Sequence, residues 1–562
     1  MYEEKSMQML KKLTLLLLLF LFTAFSQETG ARYLIITHDN FYNDIQPLAE
    51  WKHKKGVRTK VVKTSDIGSS AAQIKNYIAE ACTTWSIPPD YVLFVGAPNL
   101  IPFGYGFAAT YTDGYYTDID GDTTNEVLSG RLTVHNTTEA QTVVNKILVY
   151  ERTPDLTDST WFIDACLIVN EDYYYYPPQP GTDDSIYWSD VRHAYTLMLA
   201  NGYNEIDTLS DLLGHNSTHV IQSVNNGCAF VMYRGQGVGN WWSPFDVYPP
   251  STANGNRLPI VLSITCRTIG TSGTPATAEQ WLLTGTPMQP RGGAAYFATT
   301  VTGSNIAQYR SAVAKGFFTS VFSTNRPTFG RACEHARVDV KRLYPGYYGL
   351  REYEGFTTLG DPEMNIWTAI PKPIQVQYDS AIPVNAESLD VTVTTEGVPV
   401  ALAIVCIMQD TTVYQHGCTN MDGTITFYFD SLSEGQMDIT VTGRNIIPHE
   451  GIIQLTGVEE NAVIVENPCT SFTLSPNPFR QQLLIKLPGL RNIVSDKGKE
   501  YTLDIYDASG ELVKSYNMET HPSDNILWNG HDEDGRDLPN GVYFLFLNVN
   551  SEKITRKAVL LR

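Results

Sequence analysis

The residues best placed to do chemistry sit at the ends of two apolar runs about thirty residues apart. The second run, Pro259-Ile260-Val261-Leu262-Ser263-Ile264-Thr265, delivers Cys266 at its C-terminal edge, and a polar, Gly-containing loop from Arg267 to Gly273 follows. A thiol at a strand end beside such a loop is placed to react, whereas a mid-strand thiol such as Cys228 is placed to pack. The first run, Cys228 to Tyr233, ends at Gly235-Gln236-Gly237. The Gln236 amide can donate a hydrogen bond, but it does not titrate. It can neither activate a thiol nor protonate a leaving amine.

Trp241, Trp242 and Asp246 follow within ten residues of Gln236. Aromatic and acidic side chains on loops at a sheet's C-terminal edge suit substrate binding, and Asp246 is one of several acids that could receive a basic side chain. Simple covering of the sheet end by the two indoles is the equal alternative. A second candidate site is Asp118-Ile119-Asp120-Gly121-Asp122 with Glu126. Alternate carboxylates around a glycine suit structural Ca2+, although the bidentate Glu of an EF-hand loop sits later in the sequence. The competing reading is an Asp-rich turn without metal. Asp113 is a further acid that could line the active-site face. His215 and His219 precede the first site strand, which puts them toward the opposite end of the sheet from Cys266; His193 and His335 fall on helices, so none is assigned as a base.

The elements that carry these residues read as α/β. Both runs are short, continuous and apolar, as expected for parallel strands buried on both faces, and ligands bind at the C-terminal edge of such sheets. Tyr33 to Thr37, Val61-Val62 and Tyr91 to Val95 are further strands; Leu48 to Gly56 is a helix between the first two. Ala165 to Val169 opens a second α/β segment, with a helix from Ser189 to Leu199 that takes Ser189 as N-cap. From about Pro371 only alternating runs remain, such as Leu389 to Val393 and Ala401 to Val405, which is the pattern of an immunoglobulin-type β-sandwich. Cys406 and Cys418 flank a hairpin there and are the best candidate disulfide pair. The last ninety or so residues form another β unit, punctuated by Asn477-Pro478, Asp534-Gly535 and Asn540-Gly541.

A chain of 562 residues exceeds a single core, and 18% charged with 11% aromatic residues excludes general disorder. The net charge of −20 argues against nucleic acid as a partner. Lys11-Lys12, the apolar run Leu15 to Phe22 and the small residues around Ala24 and Ser26 read as a signal peptide over residues 1–26, too short to span a bilayer.

The order apolar strand, Gly-X-Gly, apolar strand, Cys resembles the gingipain-type cysteine peptidases, relatives of caspases. The opening strand-helix-strand unit, Tyr91 to Gly96 with Ile101-Pro102, Gly130-Arg131-Leu132 and Leu359-Gly360-Asp361-Pro362-Glu363 extend the resemblance over residues 31–367. It implies a caspase/gingipain-like parallel sheet with helices on both faces, followed by two small all-β sandwich domains. It also implies Cys266 as nucleophile, Gln236 in the position of the general-base His, and the backbone N–H of Gly237, with that of Cys266, as an oxyanion hole. The expected domains are an N-terminal α/β subdomain (31–152), a catalytic subdomain (153–370), an immunoglobulin-like module (372–457) and a C-terminal module (470–562). The last is similar to the sorting domain of type IX secretion cargo. The family implies a secreted cysteine endopeptidase acting on protein or peptide substrates, requiring no cofactor, associated with structural Ca2+, and exported by signal peptide and then the type IX machinery for release or surface attachment. Gln236 favours the alternative, a pseudopeptidase serving as a cell-surface binding or adhesin-like protein.

Overall fold

The computed structural model describes residues 28–172, 182–303, 306–323, 327–409, 412–457, 472–487, 502–517, 525–549 and 552–562. The signal-peptide expectation lies outside them, and no described helix is long and apolar enough to cross a membrane.

The apolar runs become one ten-stranded sheet. Its strands are β1 (Tyr33–Thr37), β2 (Thr59–Lys63), β3 (Tyr91–Val95), β4 (Leu128–Leu132), β5 (Ala165–Val169), β6 (Ile206–Ser210), β7 (Phe230–Arg234), β8 (Ile260–Ile264), β9 (Ala295–Thr299) and β10 (Phe356–Leu359). The spatial order is β2-β1-β3-β4-β10-β9-β8-β7-β5-β6, and every neighbouring pair is parallel except β9 with β10. Strands β1, β3, β5, β7, β8 and β9 are buried along their whole length, because helices cover both faces. Val169 aligns with Arg234, and Arg234 with Ile264. Residues 170–172, 235–237 and 265–266 therefore leave the sheet side by side at one edge.

The helices start where the sequence supplies caps. Ser70 and Gln73 form a reciprocal box before α1 (Ala71–Thr84), and Asn136 accepts from the Glu139 N–H at the start of α2 (Thr137–Glu151). The helix expected from Ser189 instead runs as α3 (Thr182–Ala200). Ser189 lies in its interior, and Asp183 and Asp184 supply the acidic first turn that favours a helix N-terminus.

A buried ion cluster locks the Leu359 to Glu363 motif in place. Lys52 Nζ lies 2.6 Å from Glu151 Oε2, 2.6 Å from Asp361 Oδ2 and 2.7 Å from Glu363 Oε2, while Lys55 Nζ lies 2.6 Å from both Glu151 and Glu363. The Trp51 indole and the Tyr33 phenol donate to Glu151 and Asp361. These bonds tie the helix Tyr42–Lys54, the end of α2 and the segment after β10 into one unit.

Residues 375–456 form two packed sheets around Leu389, Val391, Val405, Ile407, Ile439 and Val441. This module sits on the α/β layer: Tyr414 stacks on His53 at 4.3 Å, and Lys54 pairs with Asp438 at 3.1 Å. The Cys406–Cys418 disulfide is not formed. Cys406 faces His416 and Cys418 faces Ile404, diagonal positions in the ladder, and Cys406 is buried. The described residues of 472–562 form a separate compact unit of two antiparallel sheets, with Leu503, Ile505, Trp528 and Leu545 in its core.

Candidate active site

Cys266 lies two residues beyond the last paired residue of β8 and is 6% exposed. Its Sγ donates to the Gly303 carbonyl (3.4 Å) and receives an N–H from Arg310 Nη1 (3.1 Å). Arg310 lies on α4 (Ala307–Ser323) and is fully buried, with its charge balanced by Glu352 at 3.0 Å. The thiol therefore sits against an internal guanidinium-carboxylate pair rather than an imidazole.

Gln236 occupies the same relative position beyond β7. Its Nε2 donates to Asp172 Oδ2 (3.0 Å) and approaches Tyr187 Oη (3.4 Å), whose own hydroxyl donates to Asp172 Oδ2 (3.2 Å). Burial pushes the Asp172 carboxyl above the usual carboxylate range, partly offset by the Gln236 bond. The Gln236 carbonyl accepts from Tyr233 Oη (2.6 Å) and from the Trp242 N–H (3.1 Å). This side chain is held by a carboxylate, as a catalytic imidazole would be, but its amide neither takes up nor releases a proton in the working pH range. Gly235 makes that packing possible, since a Cβ there would lie 2.6 Å from the Asn170 side chain. Gly237 is buried and opens a short hairpin with Trp241.

The remaining candidates divide. Trp241 is fully buried, stacks on Tyr233 at 4.6 Å and donates from its indole to Ser263 (2.9 Å). It covers the sheet end and is withdrawn as a substrate contact. Trp242 (37% exposed) and Asp246 remain at the loop surface. Asp113 does not line the site either, for it is buried against Arg131 at 2.6 Å. His215 and His219 follow β6, which runs parallel to β5, so they lie at the same edge as Cys266 and not the opposite one. Three strand spacings, about 14 Å, separate β6 from β8. The loop after Cys266 is held by Glu279, which accepts from the Gly270 and Ala276 N–H groups (2.9 and 2.8 Å), and by His135 Nε2 against the Gly273 carbonyl (2.9 Å).

Asp118, Asp120 and Glu126 bring carboxylate oxygens within 4.8 Å of one another, an oxygen donor set of the kind calcium takes. Asp122 is not among them; it accepts from the Thr124 N–H (2.7 Å). The other three also accept backbone N–H groups within the loop. Asp172, Tyr187, Arg310 and Glu352 were not singled out from sequence. Asp172 could have been, since it leaves a buried apolar run at the same edge as Cys266.

Residues 26–367 match the model of Peptidase family C25. The chain belongs to that family. Gingipain R1 of Porphyromonas gingivalis is 23% identical over 94% of this chain, which spans 54% of that relative, and Lys-gingipain HG66 of the same organism is 22% identical over 75% of this chain and 25% of its own. The chain thus covers about half, or less, of the length of these two relatives. The crystal structure of the Arg-specific cysteine proteinase gingipain R superimposes with a TM-score of 0.67 at 21% identity, covering 77% of this chain and 99% of that one. The complex of the RgpB pro- and mature domains gives 0.68 at 22% identity, covering 76% and 100%. This C25 member therefore has the cysteine-peptidase fold. Residues 490–552 match a FlgD Ig-like domain.

Proposed function

We propose that this C25-family protein binds polypeptide at the Cys266 edge and has lost general-base catalysis there, acting as a pseudopeptidase. The observation that carries this is the Gln236 amide held on Asp172 at 3.0 Å. The orienting carboxylate is in place, but the group it orients cannot accept the thiol proton or return it to a leaving amine. Removing one member of a nucleophile-base pair lowers turnover by roughly 10⁴- to 10⁶-fold.

A residual peptidase is the second reading, favoured by Arg310 at 3.1 Å from Sγ and by an intact Cys266. Export to the cell surface is part of the proposal, supported by the N-terminal Lys11-Lys12 and apolar segment and by the similarity to gingipains. Sorting by the type IX machinery rests on the Asn-Pro, Asp-Gly and Asn-Gly punctuation of the C-terminal module.

The test is turnover of a mixed peptide library by the natural protein, Gln236→His and Cys266→Ala. The expected result is silence in the natural protein and cleavage by Gln236→His. Cleavage by the natural protein that vanishes in Cys266→Ala would overturn the proposal and establish a working peptidase.

A further inference from the structure

A cavity of about 570 Å³ lies where the 375–456 module meets the α/β layer. Ligand sites favour such junctions, and this volume is that of a small-molecule pocket. The cavity is remote from Cys266. Helix α2 starts two residues after His135, which bonds the loop following Cys266, and ends at Glu151 in the cavity wall. Its fifteen residues separate the two places by about 22 Å. Trp51, Val57 and Trp367 wall the cavity from the α/β side, and Ile404 and Ile446 from the module.

The charges around it are not balanced like those of the buried ion cluster. Arg32 lines the cavity just before β1, and so does Arg331, in the first turn of α5 (Phe329–Leu343). Arg58 adjoins Val57 and lies 4.5 Å over the Tyr414 ring. His416, on the module wall, is held below its ordinary range by burial and then by Arg32 and Arg58, so these guanidinium groups act on the cavity. The acids that line it are committed elsewhere: Asp90 to Arg32 at 3.2 Å, and Glu151 and Glu363 to Lys52 and Lys55. Among the described residues neither Arg58 nor Arg331 forms an ion pair, which stands out in a chain of net charge −20.

We propose that this cavity is a second binding site, independent of the Cys266 edge, for a small organic acid with an aliphatic body. The carboxylate meets the Arg331 guanidinium, whose planar fork of donors matches it. The aliphatic part lies against Trp51, Trp367, Ile404 and Ile446 and loses its contact with water. A bare inorganic anion would leave those walls uncovered. An aliphatic cation would face Arg32, Arg58 and Arg331 with the wrong sign. A ligand held between the two layers also stabilises their junction, because it binds only the folded arrangement.

The test is isothermal titration calorimetry with the full chain at neutral pH, using decanoate, decyltrimethylammonium and acetate as probes. Decanoate should bind once per chain with Kd below about 1 mM. The cation of equal tail length and the tailless acetate should each bind at least about tenfold more weakly. Arg331→Met should weaken decanoate about tenfold. Arg342→Met makes the same charge change at an exposed position in the last turn of α5 and should leave the affinity unchanged. Ile404→Trp, which fills the cavity from the module side, should abolish binding. Thermal melts establish that the variants fold, and decanoate should raise the melting temperature of the natural protein more than that of Arg331→Met. Absence of decanoate binding, equal binding of the cation, or uptake that neither Arg331→Met nor Ile404→Trp reduces would overturn the proposal. An equal loss in Arg331→Met and Arg342→Met would also overturn it, since overall charge would then be responsible. Peptide turnover at Cys266 bears on none of these outcomes.

Discussion

Gln236 Nε2 and Asp172 Oδ2 lie 3.0 Å apart at the ends of adjacent parallel strands, with Tyr187 bonded to the same oxygen. On the proposed reading, the pair is a base position and its orienting acid with the titrating member exchanged. Once Gln236→His restores a base, Asp172 should fix the imidazole tautomer and stabilise its cation. Adding Asp172→Asn to that variant should then lower kcat by about a thousandfold or more, with little change in KM. Equal kcat in the single and double variants would show that Asp172 has no orienting part.

Arg310 and Glu352 form a buried pair whose guanidinium also meets the thiol. Arg310→Met leaves the Glu352 carboxylate buried without its cation, which should lower stability by ~3–5 kcal/mol in urea unfolding. Adding Glu352→Gln should recover most of that loss. A double variant as unstable as the single one would mean that packing, not charge, dominates at this position.

Much of this arrangement was legible in the sequence because parallel strands buried on both faces appear as unbroken apolar runs. Those runs located Cys266 and Gln236 at one edge and marked the change to all-β modules after Pro371. Other features turned on contacts remote in sequence. Arg310 meets Cys266 across 44 residues. Trp241 is drawn into the core by Tyr233 and Ser263, which no local pattern signals. The strand Ile206–Ser210 has polar residues at Asp207 and Thr208 and sits at the end of the sheet, so it escaped a search for apolar runs, and His215 was placed at the wrong edge as a result. Ser189 resembles a cap, but the helix had already begun at Thr182.

Two buried glutamates should give opposite pH responses. Burial alone would raise Glu151, but Lys52 and Lys55 overcome it and hold the group at about 2, below its ordinary 4.5. Its contribution is complete above about 4.5 and is lost as pH falls toward 2. Burial pushes Glu279 up to about 7, against the backbone donors of the loop. The fold favours its protonated form, so this contribution is complete below about 4.5 and is lost as pH rises through 7. Melting temperature against pH should lose part of its acid limb in Glu151→Gln and its decline toward neutrality in Glu279→Gln. Identical profiles in the natural protein and in Glu279→Gln would rule out that assignment.

Lys52 is the cation around which Glu151, Asp361 and Glu363 assemble, their carboxylate oxygens lying within 4.8 Å of one another. Lys52→Met keeps much of the side-chain volume but leaves three buried acids facing Lys55 alone. Stability at neutral pH should fall by ~3–5 kcal/mol. If the loss is electrostatic, it should shrink as the medium is acidified and the acids take up protons, because their mutual repulsion then disappears. If it comes from altered packing, it should stay constant with pH. Urea unfolding of the variant and the natural protein at neutral and mildly acidic pH separates the two, and a pH-independent difference would refute the electrostatic account.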